Sequence, residues 1–515
     1  MNKYMIGACA AGLLMSMSGC ANFDDLNTDP NATMVVTPGM IATNMIVNMT
    51  WVATDGYFTG DKLLPKYWLW GASANEYSYN KLGRTGFDYS AFRNGAKMLE
   101  LALLKNKTPK AYEGLYLFTR AYKAFGYSMW LGDIPYSEAG RGETEGLVCP
   151  KYDTQEFVMQ QILQDLKRAS RLFSEASNFE GDPLHGGDVV HWRKITNAMR
   201  LKVLINLYKK EKVGDIDVKA EFKDIYENEL LMQSPADNFA ISYNSMKENE
   251  RYPWHEDVTD QEQYTMISGV LIDLLKKYED GRLFMYAEAA AKIVPDDTPW
   301  DDWQTWQDWD AFPSIDPMEP WTTVQARYLD NDYTRLNRHY TKDYDGDWAG
   351  EPIRYLGYEE MMFNLAEGAL RGWINADPQE LYSQAVRTAL KYADEQCPNY
   401  FSHGFYFDDN DINNYLERVK LTGDFENKLR MIMEQKYIAG FMSFGYDAWF
   451  ENRRTGYPVF PNNPATSLNS DVNKMPLRCM YPDAETTVNY TNLQEALDRQ
   501  YGGVDDVNKA MWILK

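Results

Sequence analysis

Residues 190–210 have the sequence VHWRKITNAMRLKVLINLYKK. When they are placed on a helix of 3.6 residues per turn, apolar side chains cover most of the circumference. A helix that is apolar on nearly every side has to be enclosed by other elements, because no face of it is suited to water. The stretch therefore predicts a helix sandwiched between neighbouring helices, in a mainly α-helical protein.

Helical periodicity continues on both sides of this segment. Residues 109–133 and 354–373 each carry an apolar stripe at spacings of three and four. A first helix is expected near residues 38–53, and residues 424–444 predict a last long helix. Helices joined by short links favour stacked hairpins of the tetratricopeptide kind.

Two helix starts are marked by capping residues. Asp153 is followed by Glu156 at the spacing of a capping box. Asp377 is followed by Pro378 at the first helical position and by Glu380 near the positive end of the helix dipole. The sequence therefore predicts N-caps at Asp153 and Asp377.

Long segments without helical periodicity interrupt the helices. The main ones are residues 54–90 and 285–352, and another covers 214–260. Connections of this length are usually functional loops or small subdomains. The expected fold is mainly α, with tetratricopeptide-like helical hairpins and long irregular loops that form a second, ligand-binding region. Residues 54–90 and 285–352 are the candidates for that region.

The N-terminus, MNKYMIGACAAGLLMSMSGC, resembles a bacterial lipoprotein signal. Its apolar run is shorter than the roughly 20 residues that span a bilayer, and small residues precede Cys20, as lipoprotein signal peptidase requires. Residues 1–19 are therefore expected to be a cleaved signal peptide, with Cys20 lipidated. Residues 20–37 would form a tether to a body at 38–515. The alternative is an ordinary secretory signal with a chance cysteine.

The charge and the absent motifs exclude several functions. The chain has 52 basic and 75 acidic residues, for a net charge of -23. A field of that sign repels nucleic acid and anionic lipid headgroups, whereas neutral and basic ligands remain open. The sequence has no Walker loop and no G-x-G-x-x-G, G-x-S-x-G or H-E-x-x-H motif. No carboxylate pair is marked out for glycoside hydrolysis.

Signals for a metal or for disulfides are few. Two acidic stretches offer oxygen ligands at alternating positions, as Ca²⁺ prefers, although neither fits an EF-hand loop. Their carboxylates are Asp343, Asp345, Asp347 and Glu351 in one stretch, and Asp408, Asp409 and Asp411 in the other. A structural Ca²⁺ is one interpretation and a solvated acidic loop is the other; no other cofactor is expected. Cys149, Cys397 and Cys479 predict free thiols.

A run of tryptophans marks residues 295–312, PDDTPWDDWQTWQDWDAF. Four of the 15 tryptophans lie here at every third position: Trp300, Trp303, Trp306 and Trp309. On a helix this spacing turns each ring by about 60° from the last, so one buried stripe cannot hold them all. The Asp residues between the rings also oppose full burial. Some of these indoles are therefore expected to be exposed or in a groove.

A second aromatic cluster lies in residues 66–80, KYWLWGASANEYSYN. Its candidate binding residues are Trp68, Trp70, Asn75, Tyr77 and Tyr79. The apolar face of a sugar ring stacks on an aromatic plane, while carboxylates and amides bind its hydroxyls. Both clusters are predicted to bind substrate. The alternative is that their rings pack against the protein's own helices or against a partner protein.

Several segments together resemble the SusD/RagB-like nutrient-binding outer-membrane lipoproteins of Bacteroidetes. In chain order, behind Cys20, they are FDDLNTDPN (23–31), GDIPYSEA (132–139), GDVVHWRKITNAMRLKVLINLY (187–208), RYLGYEEMMFNLAEGALRGW (354–373), QKYIAGF (435–441) and ENRRTGYP (451–458). The chain departs from the family at DGRLF (280–284), where Asp-Pro-Arg-Leu is common, and it matches poorly from about 285 to 352. That variable region contains the tryptophan run.

The resemblance implies a non-catalytic, cell-surface lipoprotein of the outer membrane. Such proteins bind glycans or peptides and deliver them to a SusC-like, TonB-dependent transporter, on which they sit as a lid. Asp24 and Asp25 resemble the signal that sends these lipoproteins to the surface. Oligosaccharide binding is the leading function, with a RagB-like peptide binder as the alternative. A surface glycoside hydrolase and a purely structural partner of the transporter are the alternatives from other classes.

Overall fold

A computed structural model describes residues 36–50, 60–244, 250–252, 263–340 and 350–515. The predicted signal peptide and Cys20 lie outside the described residues. Helices make up most of the regular structure. They are α1 (Pro38–Met49), α2 (Gly60–Leu63), α3 (Ser90–Leu104), α4 (Pro109–Leu131), α5 (Gly142–Glu145), α6 (Gln155–Ser174), α7 (Val189–Asn206), α8 (Val218–Asn228), α9 (Gly269–Tyr278), α10 (Leu283–Tyr286), α11 (Trp303–Trp306), α12 (Trp321–Leu329), α13 (Tyr358–Leu370), α14 (Pro378–Gln396), α15 (Asp409–Arg418), α16 (Phe425–Ala439), α17 (Asp447–Thr455), α18 (Glu485–Val488) and α19 (Tyr490–Tyr501).

Short strands lie between the helices. They are β1 (Trp68–Trp70), β2 (Lys212–Val213), β3 (Ile216–Asp217), β4 (Phe239–Ile241), β5 (Thr265–Ile267), β6 (Ala287–Glu288), β7 (Arg335–Leu336) and β8 (Ile353–Leu356). The largest sheet has the antiparallel order β1-β5-β7-β6, while β2 pairs with β3 and β4 pairs with β8. The prediction of a mainly α fold is confirmed.

The helix predicted to be enclosed is α7. Every residue from Ile195 to Asn206 is buried, because α4, α6, α8 and α13 surround it. Its buried cations have partners: Arg200 forms ion pairs with Glu221 and Glu229 at 2.6 and 3.1 Å. Lys202 lies between carboxylates of α13 and α17. The polar residues of this helix are thus accommodated by ion pairs and not by exposure.

Consecutive helices pack as hairpins around α7. α4 packs against α3 and α6, α6 packs against α7, and α13 packs against α14. The link between α3 and α4 is only residues 105–108. Such short links force neighbouring helices to run antiparallel, as predicted for tetratricopeptide-like hairpins.

One of the two predicted N-caps is correct. Asp377 accepts a hydrogen bond from the Gln379 backbone N–H, and Pro378 begins α14. The other cap is displaced by one residue, because Thr154 caps α6. Asp153 instead accepts hydrogen bonds from the backbone and hydroxyl of Ser137. A long-range partner has taken the carboxylate that the local pattern assigned to the helix.

A second, smaller apolar cluster lies apart from the main core. It consists of Leu69, Met266, Ile315, Val324 and Tyr333. These side chains come from β1, β5, α12 and the segments around them, so the cluster joins the two candidate loop regions. The described parts of 54–90 and 285–352 therefore contain short helices and strands that fold against one another.

The cysteines match the prediction. Cys149, Cys397 and Cys479 are free thiols, of which Cys397 and Cys479 are buried and Cys149 is half-buried.

Candidate ligand-binding surface

The four-stranded sheet brings the two candidate regions together. β1 comes from the first region, and β6 and β7 come from the second. Leu69 pairs with Met266 across β1 and β5, and Met266 pairs in turn with Arg335 of β7. Segments that are more than 200 residues apart in sequence thus form one unit. Two groups of partly exposed aromatic rings include residues of these regions.

The first group, the edge cluster, consists of Trp70, Tyr264 and Tyr328. The rings of Trp70 and Tyr264 lie 5.6 Å apart, and those of Tyr264 and Tyr328 lie 6.1 Å apart. All three rings are half-buried. Gly71 allows this packing, since a Cβ there would lie 2.5 Å from the Tyr328 ring. The cluster presents partly exposed rings at the end of β1.

The second group, the tryptophan platform, consists of Trp300, Trp303 and Tyr400. Trp300 is 42% exposed and Trp303 is 53% exposed. The Trp300 ring lies 5.4 Å from the Tyr400 ring at an angle of 42°. Trp303 lies over Gly404, where a Cβ would be only 2.5 Å from the indole. The platform is therefore built on the loop at 399–405.

Two buried contacts fix the platform to that loop. Trp306 is 2% exposed, stacks on His403 at 4.0 Å and donates a hydrogen bond to the Pro299 carbonyl. His403 contacts the Trp300 carbonyl through Nδ1 at 3.1 Å. Burial lowers the pKa of His403, so the ring is neutral near pH 7 and Nδ1 carries the proton that it donates. One buried tryptophan thus holds two exposed tryptophans in place.

The predicted binding residues have different environments. Trp68, Tyr79 and Trp306 are buried, Trp70, Asn75, Tyr77 and Trp309 are half-buried, and Trp300 and Trp303 are exposed. Trp68 belongs to the main core, and the Tyr79 hydroxyl donates to the Glu319 carbonyl. A surface role for Trp68, Tyr79 and Trp306 has to be corrected, because folded chain covers these rings.

The remaining candidates do not form one site. Trp309 packs edge-on against Phe284 at 5.0 Å. Tyr77 lies beside Gly60, and Asn75 accepts a hydrogen bond from the Tyr77 backbone. The candidate surface therefore consists of the edge cluster and the tryptophan platform.

Three of its rings were missed in the sequence. Tyr264 and Tyr400 carry no local signal, because their neighbours come from distant segments. Tyr328 did carry one: Trp321, Val324 and Tyr328 follow one helical face. Val324 enters the small apolar cluster, and the flanking rings pack against its rim.

A buried lysine positions the loop after β1. Lys66 is fully buried and donates hydrogen bonds to the Ser78 carbonyl at 2.5 Å and to Asn80 Oδ1 at 2.7 Å. Burial lowers its pKa to about 7, an effect that Asp316 only partly opposes. The hydrogen bonds of Lys66 therefore hold residues 78–80 in place. The free-energy cost of burying this lysine is larger when its amine is protonated.

The acidic stretches show capping and pairing. Asp408 and Asp411 form the capping box of α15, and Asp409 pairs with Lys391 at 3.3 Å. Glu351 is buried beside Arg354, and Asp343, Asp345 and Asp347 lie outside the described residues. Within the described ranges, no group of three or more His, Cys, Asp or Glu side chains could hold a metal ion.

The fold and these surfaces define a helical protein of the tetratricopeptide-like kind that presents exposed aromatic rings. A family model described as SusD-like and starch-binding, associating with the outer membrane, matches residues 30–482. The chain therefore belongs to this SusD-like family, as its motifs predicted. Over the part of the chain that the structure describes, no helix has both the length and the apolar character needed to cross a bilayer.

Solved structures agree with this assignment. A SusD homologue from Bacteroides fragilis is 41% identical, and the match covers 93% of this chain and 100% of that one with a TM-score of 0.87. A second SusD homologue from the same species is 29% identical, with the same coverage and a TM-score of 0.80. A chitin-binding protein shares the fold at 21% identity, with coverage of 93% and 100% and a TM-score of 0.70. No curated protein matched.

Proposed function

We propose that this protein is a non-catalytic, cell-surface lipoprotein that binds oligosaccharide nutrients and delivers them to a SusC-like, TonB-dependent transporter. The observation that carries the proposal is the tryptophan platform, whose two exposed indoles are held in place by the buried Trp306–His403 stack. Membership of a family described as starch-binding and outer-membrane-associated supports both the ligand class and the location.

The chemistry of the platform suits sugar rings. Neighbouring apolar rings that are exposed together often mark a binding surface, and a pyranose ring offers an apolar face of matching size. The carboxylates around the indoles accept hydrogen bonds from hydroxyl groups. The tryptophan platform would act by binding alone, without catalysis.

A binding screen with ring-deleted variants tests the proposal. The mature chain is applied to a panel of glycans and peptides, and affinities for its ligands are measured by calorimetry. Trp303→Ala should weaken glycan binding by about 5- to 30-fold, because one stacked ring contributes about 1 to 2 kcal/mol. Tyr490→Ala is the matched control, since this ring is 58% exposed on the helical body and should have no effect.

The same screen separates the alternatives. Binding of peptides and not of glycans would support the RagB-like alternative and overturn the oligosaccharide proposal. Release of shorter sugars from a bound glycan would indicate a hydrolase. Glycan affinity that is unchanged in Trp300→Ala and Trp303→Ala would remove the platform from the site.

Delivery to a transporter is tested separately. The protein is co-expressed with a SusC-like transporter, and the complex is isolated by affinity purification from detergent-solubilised membranes. Recovery of both chains together would support the proposed partnership, and recovery of this chain alone would contradict it.

A further inference from the structure

The tryptophan platform carries an unusual excess of negative charge. Residues 295–312 contain six aspartates and no lysine, arginine or histidine. The aspartates are Asp296, Asp297, Asp301, Asp302, Asp308 and Asp310. On the supporting loop, 399–405, the only titratable cation is His403, whose pKa is lowered by burial. The segment that carries Trp300 and Trp303 is therefore rich in carboxylates and poor in cations.

Nearby cations offset only part of this charge. Arg335 pairs with Asp296 at 2.5 Å and also approaches Glu288. Arg338 pairs with Glu288 at 2.8 Å. Lys292 lies 2.5 Å from Asp330. Among the described residues, Asp296 is thus the one aspartate of the run that pairs with a cation, and five carboxylates of the run form no ion pair.

Two of the aspartates face solvent without an internal role. Asp297 and Asp301 are exposed, and they accept no hydrogen bond and form no ion pair among the described residues. By contrast, Asp302 accepts a hydrogen bond from the Thr305 hydroxyl, and Asp308 caps the 3-10 turn at Trp309–Ala311. Asp297 and Asp301 can therefore be changed without removing a described contact.

We infer that the tryptophan platform selects its glycan by charge: it takes neutral or amino-sugar oligosaccharides and rejects glycans that carry uronate or sulfate groups. This inference rests on the proposed function. The exposed indoles are the binding surface, and the carboxylates set which sugars can approach it.

Electrostatics gives the expected size of the effect. Asp301 and Asp302 lie between Trp300 and Trp303 in the sequence, so we expect a uronate that stacks on either indole to lie within about one Debye length, roughly 8 Å at physiological salt, of more than one carboxylate. Several unit repulsions at that distance in water add up to a loss of about tenfold in affinity for an oligosaccharide with more than one uronate. Lower salt lengthens the screening distance and widens the gap.

The test compares sugars that share one backbone and differ in charge. A glycan array of neutral, amino-sugar, uronate and sulfated oligosaccharides is first probed with the mature chain. Cellotetraose, its C6-oxidised counterpart and chitosan tetraose are then titrated at 20 and 300 mM salt. The test variant is Asp297→Asn with Asp301→Asn. The control is Glu495→Gln with Asp498→Asn, which removes the same charge from α19 on the helical body.

Neutral or amino-sugar ligands that bind at least tenfold more tightly than uronates, with a gap that grows at 20 mM salt, would support the inference. The gap should narrow in the test variant and stay unchanged in the control. Uronate or sulfated glycans that bind as tightly as neutral ones, or a gap that does not respond to salt, would overturn the inference and leave glycan binding intact. Binding of no glycan on the array would overturn the proposed function itself. The salt series on the unmodified chain decides the question even if the variant fails to fold.

Discussion

Gly404 gives the indole of Trp303 the space that it occupies. Its backbone has a φ of +76°, and a Cβ would lie 2.5 Å from the indole. Gly404→Ala should therefore displace Trp303 and weaken glycan binding by about tenfold. Strain in the left-handed region should also lower the free energy of unfolding by about 1 kcal/mol. Calorimetric titration and urea unfolding measure the two effects.

Gly502→Ala separates strain from the loss of the ring. Gly502 has a similar φ of +69°, but a Cβ there would meet nothing within 4 Å. This control should show the same small loss of stability with unchanged glycan affinity. Equal affinities in the Gly404 and Gly502 variants would show that the position of Trp303 does not matter for binding.

Lys66 should make the stability of the protein depend on pH. Its pKa is about 7 in the folded chain and 10.5 in the unfolded chain, chiefly because burial disfavours the ammonium ion. Between these values the unfolded chain binds more protons, so the free energy of unfolding rises with pH. From pH 7 to pH 9 this rise should be about 2 kcal/mol.

Lys66→Met should remove that rise. The neutral amine of the original chain still donates to Ser78 and Asn80 above pH 7, whereas methionine leaves both acceptors without this donor. The difference in stability between the two proteins should therefore grow from pH 7 to pH 9 in urea unfolding. The exposed Lys219→Met is the control. A difference that stays constant with pH would mean that Lys66 remains charged in the folded state.

At the scale of elements, α13, α16 and α17 are joined by buried ions. Arg454 of α17 forms two parallel bonds to Glu367 of α13, at 2.6 and 2.7 Å. It also pairs with Glu451, which in turn accepts from Lys436 of α16 at 2.7 Å. Burial alone would raise the pKa of Glu451, but Arg454 and Lys436 lower it to about 2. The packing of the three helices therefore depends on this network, and removing one charge would leave its buried partner without a counter-charge.

Arg454→Met should destabilise the protein by about 3 kcal/mol, because it leaves buried carboxylates short of a counter-charge. Arg418→Met is the matched control: Arg418 pairs with Glu279 at 2.5 Å but is 42% exposed. Exposed pairs of this kind contribute about 0 to 1 kcal/mol. Urea unfolding measures both changes. Similar losses in the two variants would show that α17 does not depend on this network.

The same elements show why sequence patterns succeed or fail. The apolar character on most sides of α7 is a property of the local sequence, and so is the Asp-Pro start of α14. Both features were predicted correctly. Asp153 had the spacing of an N-cap, but in the folded chain its carboxylate accepts a hydrogen bond from Ser137 instead. Local patterns identify elements reliably where no distant group competes for the same atoms.

The tryptophan platform and the edge cluster show the same limit of prediction from local sequence patterns. The spacing of three residues correctly indicated that the four tryptophans do not all lie on one buried helical face, since Trp300 and Trp303 are exposed. The spacing could not show that Trp306 would be the buried one, because His403 lies almost 100 residues away. Tyr264 and Tyr400 were missed for the same reason: their ring neighbours are fixed by the tertiary fold.

At the scale of the whole molecule, the helical body has a different role from the tryptophan platform and the edge cluster. The hairpins around α7 form much of the main core. Tyr328 of the edge cluster packs against the small apolar cluster, whereas the buried Trp306 below the tryptophan platform belongs to the main core. A rigid body lets the ring-bearing segments vary in sequence without loss of the fold.

The attachment of the whole molecule to a membrane should depend on one atom, the Cys20 sulfur. In our proposal acyl chains on Cys20 supply the membrane affinity, at about 0.8 kcal/mol per buried CH₂ group. When the full-length chain is expressed in a host that processes lipoproteins, it should enter the detergent phase of a Triton X-114 extraction. Cys20→Ser should move it to the aqueous phase. Cys149→Ser is the control, since that half-buried thiol is expected to have no part in anchoring and the variant should stay with the detergent. A Cys20→Ser protein that still partitions with detergent would contradict lipid anchoring at this cysteine and would place the membrane attachment elsewhere in the chain.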